Sequence, residues 1–335
     1  MIKVDLITGL LGAGKTTFIK EYAEYIMSTG EKIGVLENDH GAINVDMLLL
    51  NDLRGENCEL EMVAGGCDID CHRRRFKTKL ISMAMSGYDR VIIEPSGIFD
   101  VDEFLDSLRD EPLDNWYEIG NVFCVVDIYI TQNFLNDQEE YLLGSQASDA
   151  GKIILSHIDV LDEKGLHNSK RQVKTVINNI FENIGCKRKL IDDDFICYRT
   201  NTFTNDDYVN LLSSGYVISD YIKKYSLEDL EFETIYYMGE QIFDKTNQED
   251  IDAREADQIE MIKKKIVALF SDNSVGYIYR VKGYIKDWNC EGWLEINASS
   301  NSFAIRNTSV GQEVIIIIGT NLNKESIDMV MFEDT

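Results

Sequence analysis

The sequence predicts an α/β protein: a doubly wound, mostly parallel sheet that carries a P-loop, followed by a smaller α+β domain. Short apolar runs alternate with helical patterns over the first two-thirds of the chain, an order typical of parallel α/β folds. Most of these runs are continuously apolar, as in strands buried on both faces. The pattern changes after about Tyr225. We therefore expect one domain at residues 1–225 and a second at residues 226–335.

The elements of the first domain follow from apolar periodicity. The first strand is expected at Ile2–Ile7, and the first helix at Lys15–Met27, where apolar side chains recur on one face. The further strands are expected at Lys32–Glu37, Arg90–Glu94, Val122–Asp127, Lys152–Leu155 and Phe195–Arg199, with helices near Val101–Arg109, Asp137–Ala150 and Asn168–Asn183.

The second domain shows shorter runs separated by turn residues. One helix is expected there, near Arg254–Phe270. The strands are expected at Phe232–Met238, Val275–Tyr284, Gly292–Ile296, Ser302–Ile305 and Val314–Ile318.

Charge and composition exclude several classes of function. The net charge of −26 repels phosphate backbones, so we expect no nucleic-acid partner. No apolar run reaches the roughly 20 residues that span a bilayer, and the N-terminal stretch lacks the features of a signal peptide. We therefore expect a cytoplasmic protein with no membrane partner, whose seven cysteines are mostly reduced thiols.

A phosphate-binding loop follows the first strand. Gly9-x-x-x-x-Gly14-Lys15-Thr16 fits the Walker A pattern, in which glycines let backbone N–H groups surround phosphate oxygens. Lys15 is expected to reach the β- and γ-phosphates, and the Thr16 hydroxyl to ligate Mg²⁺. The expected nucleotide contacts of this loop are Gly9, Gly12, Ala13, Gly14, Lys15, Thr16 and Thr17.

An acidic residue is expected beside the phosphate loop, at the same edge of the sheet. Glu94 ends an apolar strand and precedes Pro95-Ser96-Gly97. Its carboxylate can hold Mg²⁺ through water or polarise the attacking water, and the Gly97 N–H can sense the γ-phosphate. Lys15, Glu94 and Gly97 are therefore the expected catalytic groups. For Asp127, at the end of another strand, a structural role is favoured.

These motifs resemble those of the CobW-type family of P-loop GTPases, which are relatives of UreG and HypB. Gly9–Thr17 matches the family's phosphate loop, and Glu94–Gly97 matches its second switch. The other matches are Asn38-Asp39-His40-Gly41 with Asp46 in the first switch, Gln146–Ala150, Arg280-Val-Lys-Gly-Tyr284 and Ile318-Gly-Thr-Asn-Leu322. The resemblance implies GTP as the nucleotide, with Mg²⁺ organised by Thr16, Asp39 and Glu94.

Two segments depart from the family pattern. The guanine-reading Asn-Lys-x-Asp is replaced by Ser156-His157-Ile158-Asp159, in which Asp159 can still accept hydrogen bonds from guanine. Ser156 and His157 are expected at the base but are weaker contacts than Asn and Lys. The metal motif Cys-x-Cys-Cys is replaced by a stretch that keeps Cys67, Cys71 and His72 as candidate ligands of Zn²⁺ or Co²⁺.

The resemblance implies a slow GTPase that supports metal delivery to, or maturation of, a client metalloenzyme or corrinoid protein. Two alternatives stay open at this point. The altered metal motif is also compatible with a nucleotide-gated interaction module that carries no metal. A P-loop metabolite kinase has less support, because no acceptor site or arginine-bearing lid is visible. The sequence leaves the client, the metal and a homodimeric state undetermined.

Overall fold

A computed structural model describes residues 1–39, 46–64, 69–95, 101–130, 135–223, 233–239, 254–288, 290–299, 302–309 and 311–332. The chain divides into two compact units, Met1–Leu230 and Glu231–Thr335. The division lies five residues beyond the boundary expected from the sequence.

The first unit is built on a seven-stranded sheet in the order β3-β2-β4-β1-β5-β6-β7. Every neighbouring pair of strands is parallel, which confirms the predicted fold class. The strands are β1 (Ile2–Thr8), β2 (Ile33–Asp39), β3 (Cys58–Ala64), β4 (Arg90–Pro95), β5 (Tyr117–Asp127), β6 (Lys152–Ser156) and β7 (Phe195–Cys197).

Helices cover both faces of this sheet. They are α1 (Lys15–Ser28), α2 (Asp46–Leu50), α3 (Ile69–Ala84), α4 (Val101–Arg109), α5 (Asp137–Ser148), α6 (Glu163–Asn183) and α7 (Asn205–Leu212). Successive residues of β1 enter different cores: Leu6 packs in the cluster with α3–α6, and Ile7 packs in the cluster with α1 and α7. Strands buried on both faces explain why their sequences are continuously apolar.

Several elements differ from the sequence expectation. Strand β3 and helices α2, α3 and α7 were not expected. Strand β7 ends at Cys197 rather than Arg199, and the chain then turns at residues 200–201, where Asn201 adopts a left-handed φ of 57°. Helix α6 begins at Glu163, not Asn168, since the Asp162 side chain accepts a hydrogen bond from Gly165 N at 2.7 Å and caps the helix.

The second unit contains a five-stranded sheet in the order β11-β10-β9-β12-β8, with antiparallel neighbours. Its core lies between this sheet and two helices, with Ile262, Ile266 and Ile327 against Ile315 and Ile317. The strands are β8 (Glu233–Met238), β9 (Tyr277–Lys286), β10 (Trp293–Ser299), β11 (Ser302–Thr308) and β12 (Val314–Thr320), and the helices are α8 (Arg254–Ser271) and α9 (Lys324–Phe332).

The small α+β domain is thus confirmed, although α9 was not expected. Among the helices that the structure describes, none has the length and hydropathy needed to cross a membrane.

Candidate nucleotide-binding site

The phosphate-binding loop connects β1 to α1 at the carboxyl edge of the parallel sheet. Gly9, Gly12 and Gly14 have φ values of 141°, 80° and 89°, which L side chains rarely adopt. A Cβ at Gly9 would also lie 2.3 Å from the Val125 carbonyl oxygen. The loop therefore requires glycine at these positions, and its backbone takes the turned form that surrounds phosphate oxygens.

Three functional side chains meet where this loop faces the end of β4. The Thr16 hydroxyl lies 3.2 and 3.0 Å from the two carboxylate oxygens of Glu94. Lys15 Nζ lies 3.9 Å from Glu94 Oε1 and donates to the Gly9 carbonyl at 3.1 Å. All three side chains are at most 9% exposed. The structure thus brings Lys15, Thr16 and Glu94 together, as the two motifs predicted.

The hydroxyl and carboxylate at this point suit a magnesium ion. Mg²⁺ takes oxygen ligands at about 2.1 Å, so adjacent ligands of an octahedral ion lie about 3.0 Å apart. Thr16 Oγ1 and Glu94 Oε2 are separated by 3.0 Å. Their chemistry and spacing therefore fit the ion that the motif implies.

The carboxyl end of β6 and the residues that follow it lie against the phosphate loop. The Ser156 hydroxyl donates to the Ala13 carbonyl at 2.6 Å and lies 3.3 Å from the Val126 carbonyl. A Cβ built on Gly14 would stand 3.5 Å from Ser156 Cβ and 3.6 Å from His157 Nε2. Asp159 is exposed on the same loop. The structure therefore places Ser156 and His157 next to the phosphate loop, and Asp159 follows two residues after His157.

Sequence reasoning missed two contacts of this segment. Asp127 ends β5, and its Oδ2 lies 3.0 Å from His157 Nδ1, because β5 and β6 are neighbours that end at the same edge. Arg199 follows β7, and its Nη2 donates to the Leu161 carbonyl at 2.8 Å. The position of Asp127 at a strand end was the available signal. Arg199 carried none.

The candidate transition-metal site lies mainly outside the described residues. Cys67 and the side chain of His72 lie there. Two residues expected at the nucleotide site, Gly97 and the side chain of Asp39, also lie outside what the structure describes. Cys71 is half-buried in the first turn of α3. Within the described part of the chain, no group of three or more His, Cys, Asp or Glu residues is arranged to hold a metal ion.

Comparison with known proteins supports the motif-based assignment. A family model described as "CobW/HypB/UreG, nucleotide-binding domain" matches residues 3–184, more than half of the chain. The zinc chaperone YeiR of Escherichia coli is 31% identical over 128 residues, which cover 38% of each chain. The zinc-regulated GTPase metalloprotein activator 1 of Schizosaccharomyces pombe is 27% identical over 203 residues, which cover 58% of this chain and 46% of that protein.

The alignments thus span 38% and 46% of those relatives' lengths. The crystal structure of Zn(II)-bound YjiA GTPase from E. coli aligns over 98% of this chain and 97% of that one, at 17% identity and a TM-score of 0.38. A likeness of that size carries no argument about function. The family model, in contrast, matches residues 3–184, which is more than half of the chain. The chain therefore belongs to the CobW/HypB/UreG family of P-loop GTPases.

Proposed function

We propose that this chain binds GTP with Mg²⁺, hydrolyses it slowly, and uses its nucleotide state to support metal delivery to a client metalloenzyme. The observation that carries the proposal is the meeting of Lys15, Thr16 and Glu94 at the end of β4. An ammonium, a hydroxyl and a carboxylate in that arrangement match what a nucleotide phosphate and its magnesium ion require.

The phosphate groups would be held by backbone and charge together. The Ncap residue of α1 is Gly14, which has no side chain with which to cap the helix, so the first N–H groups of that helix can bind an anion. Lys15 adds a buried positive charge. In a site with little water, such a charge interacts strongly with phosphate oxygens.

Hydrolysis would depend on groups at the two switch segments. We propose that Thr16, Glu94 and Asp39 hold Mg²⁺, which neutralises phosphate charge when bound. Glu94 would also orient the attacking water, and the Gly97 N–H would sense the γ-phosphate. Residues 9–17 and 94–97 contain no arginine, and we therefore propose slow turnover in the absence of an arginine finger.

The cargo is proposed from the names of the relatives. YeiR is a zinc chaperone, and the fission yeast relative is a zinc-regulated activator. Zinc is therefore favoured over cobalt as the ion for Cys67, Cys71 and His72, since thiolate and imidazole are its usual ligands. A corrinoid protein is a less favoured client. We place the protein in the cytoplasm, where thiols stay reduced.

A second candidate function is a nucleotide-gated interaction module that carries no metal. It is favoured by one observation: Ile69 and Asp70 stand where the family motif has its second and third cysteines. A metabolite kinase is not supported, because the chain belongs to a GTPase family.

The proposal is tested by Lys15→Ala. We expect GTP hydrolysis to fall by at least about 100-fold, the size of effect seen when a transition-state charge stabiliser is removed. Nucleotide affinity should also fall. The measurement is phosphate release under single-turnover conditions, with Mg²⁺ and with a chelator.

Lys20→Ala is the matched control, because Lys20 lies on the same helix and pairs with Asp52 at the surface. That variant should hydrolyse GTP at the rate of the unchanged protein. Hydrolysis by Lys15→Ala at the same rate would mean that the phosphate site has been wrongly assigned.

A further inference from the structure

The carboxylate of Asp127 is fixed at the edge of the nucleotide site by two contacts. Its Oδ1 accepts a hydrogen bond from Tyr129 N at 2.9 Å, and its Oδ2 lies 3.0 Å from His157 Nδ1. The side chain is one-quarter exposed. Each oxygen thus has a partner, and the carboxylate cannot turn away from His157 without losing the Tyr129 contact.

The backbone of His157 adopts an uncommon conformation between two buried neighbours. Its φ of 58° is uncommon for a residue other than glycine, although histidine adopts it more readily than most. The two neighbours, Ser156 and Ile158, are both 2% exposed. Such a conformation persists where the surroundings fix it, and it often marks a functional position.

The ring itself faces the phosphate loop. His157 Nε2 is 3.6 Å from the position of a Cβ on Gly14, and the histidine side chain is 42% exposed. Ser156 ties the same segment to the Ala13 carbonyl. A flat aromatic ring therefore stands beside the loop, partly open to solvent and fixed at Nδ1.

We propose that Asp127 is a positioning residue for nucleotide binding, which holds the His157 imidazole against the bound nucleoside beside Gly14. The inference rests on the proposed function, because it assumes a nucleotide in the loop. Stacking on an aromatic ring is tolerant of base identity. The pair therefore strengthens the binding of GTP, GDP and ATP alike, while Asp159 discriminates between bases.

The carboxylate also fixes the tautomer of the ring. Asp127 can only accept hydrogen bonds when ionised, so it requires a proton on His157 Nδ1. In the neutral ring, Nε2 then carries a lone pair in the plane of the ring, at the ring atom that lies 3.6 Å from the position of a Cβ on Gly14. An Asp127→Asn variant that keeps Tyr129 N as a donor to its oxygen must turn its amide group toward His157. The proton then moves to Nε2, and the ring presents a donor instead of an acceptor.

The test is a double-mutant cycle on nucleotide affinity with Asp127→Ala, His157→Ala and the double variant. The probe is a fluorescent GDP analogue, displaced by GTP, GDP or ATP. Each single variant should weaken all three nucleotides by a similar factor, about tenfold, with KM raised and kcat nearly unchanged. The double variant should be no weaker than His157→Ala alone, because Asp127 acts only through the histidine.

A further variant and the outcomes below decide whether the inference holds. Asp127→Asn, which is isosteric, should also weaken binding, and it replaces Asp127→Ala if that variant does not fold. Additive losses in the double variant, or affinity within twofold of the unchanged protein in both Asp127 variants, would overturn the inference. Failure of the unchanged protein to bind any of the three nucleotides would contradict the proposed function instead.

Discussion

We expect Ser156 and Asp159 to have different roles in the altered base-reading segment. A serine hydroxyl has one proton to donate, and the closest acceptor of the Ser156 hydroxyl is the Ala13 carbonyl at 2.6 Å. That proton fixes the phosphate loop and is not directed at a base. Asp159 is exposed on the same loop and is left as the acceptor for guanine N1–H and the 2-amino group. Discrimination between GTP and ATP should therefore rest mainly on Asp159.

The corresponding prediction is that Asp159→Ala reduces the preference for GTP over ATP. A polar contact to the base contributes about 1–3 kcal/mol, so GTP affinity should fall by roughly 5- to 150-fold while ATP affinity changes little. Competition titrations with the two nucleotides measure the ratio. Asp193→Ala, which removes the same charge from an exposed turn, should leave the ratio unchanged. If the unchanged protein and the Asp159→Ala variant both bind GTP and ATP equally, the chain is a general nucleoside triphosphatase.

At the scale of elements, a buried acid joins helix α5 to the segment at residues 217–223. Asp149 is the C-cap residue of α5. Its backbone carbonyl accepts a hydrogen bond from Val217 N and its Oδ1 accepts one from Ser219 N, both at 2.9 Å. Burial raises the pKa of Asp149 to about 7, and the negative charge of Asp102, on α4, adds to that rise. The carboxyl is therefore largely protonated below neutral pH. In the sequence, three residues separate helix α4 from the Glu94–Gly97 segment.

We expect Asp149→Asn to stabilise the protein at pH 8 and to have little effect near pH 4. The pKa of Asp149 in the folded state lies above its unfolded value of about 3.9. Ionisation of Asp149 therefore lowers the free energy of unfolding of the protein as the pH rises from about 4 to about 7. An asparagine keeps the oxygen that accepts from Ser219 N and carries no charge beside Asp102. The gain at pH 8 should be on the order of 4 kcal/mol, measured by urea unfolding between pH 4 and pH 8.

Asp220→Asn is the control, since Asp220 is exposed one residue beyond Ser219. It should change the free energy of unfolding at pH 8 by no more than about 0.5 kcal/mol, as is usual for an exposed substitution. A difference between Asp149→Asn and the unchanged protein that does not grow with pH would contradict the assigned protonation state.

The strands buried on both faces were predictable from sequence because their apolar runs are continuous. Edge strand β3 was not, since Glu59 and Glu61 interrupt its apolar residues. Helix α3 contains Arg73-Arg74-Arg75, and these charged residues interrupt the apolar periodicity by which a helix is recognised in a sequence. At the site, Gly9–Thr16 and Glu94 could be identified from motifs. The contacts of Ser156 with Ala13 and of His157 with Asp127 join distant parts of the sequence, and no local pattern encodes them.

At the scale of the whole molecule, the cysteines differ in their fitness to bind a metal. The thiolate is the form that binds zinc. Burial raises the pKa of Cys58 to about 11 and that of Cys124 to about 12, so both remain protonated thiols at neutral pH. Cys71 lies half-buried in the first turn of α3, and Cys67 precedes it outside the described residues. With a net charge of −26, the whole chain also attracts cations.

The last prediction is that the chain binds one thiophilic divalent ion through Cys67 and Cys71, with His72 or a nearby acid completing the ligands. Zn²⁺ titration against a chromophoric chelator should give one ion per chain, and the Cys67→Ser/Cys71→Ser double variant should lose at least tenfold in affinity. Affinity should differ between the GTP-analogue and GDP states, because the segment lies between the two switches in sequence. Cys290→Ser is the matched control, since Cys290 is an exposed thiol in the second unit. Unchanged affinity in the double variant would eliminate this site. Absence of zinc binding by the unchanged protein in both nucleotide states would instead favour the interaction module, because a carrier must hold its cargo in at least one of them.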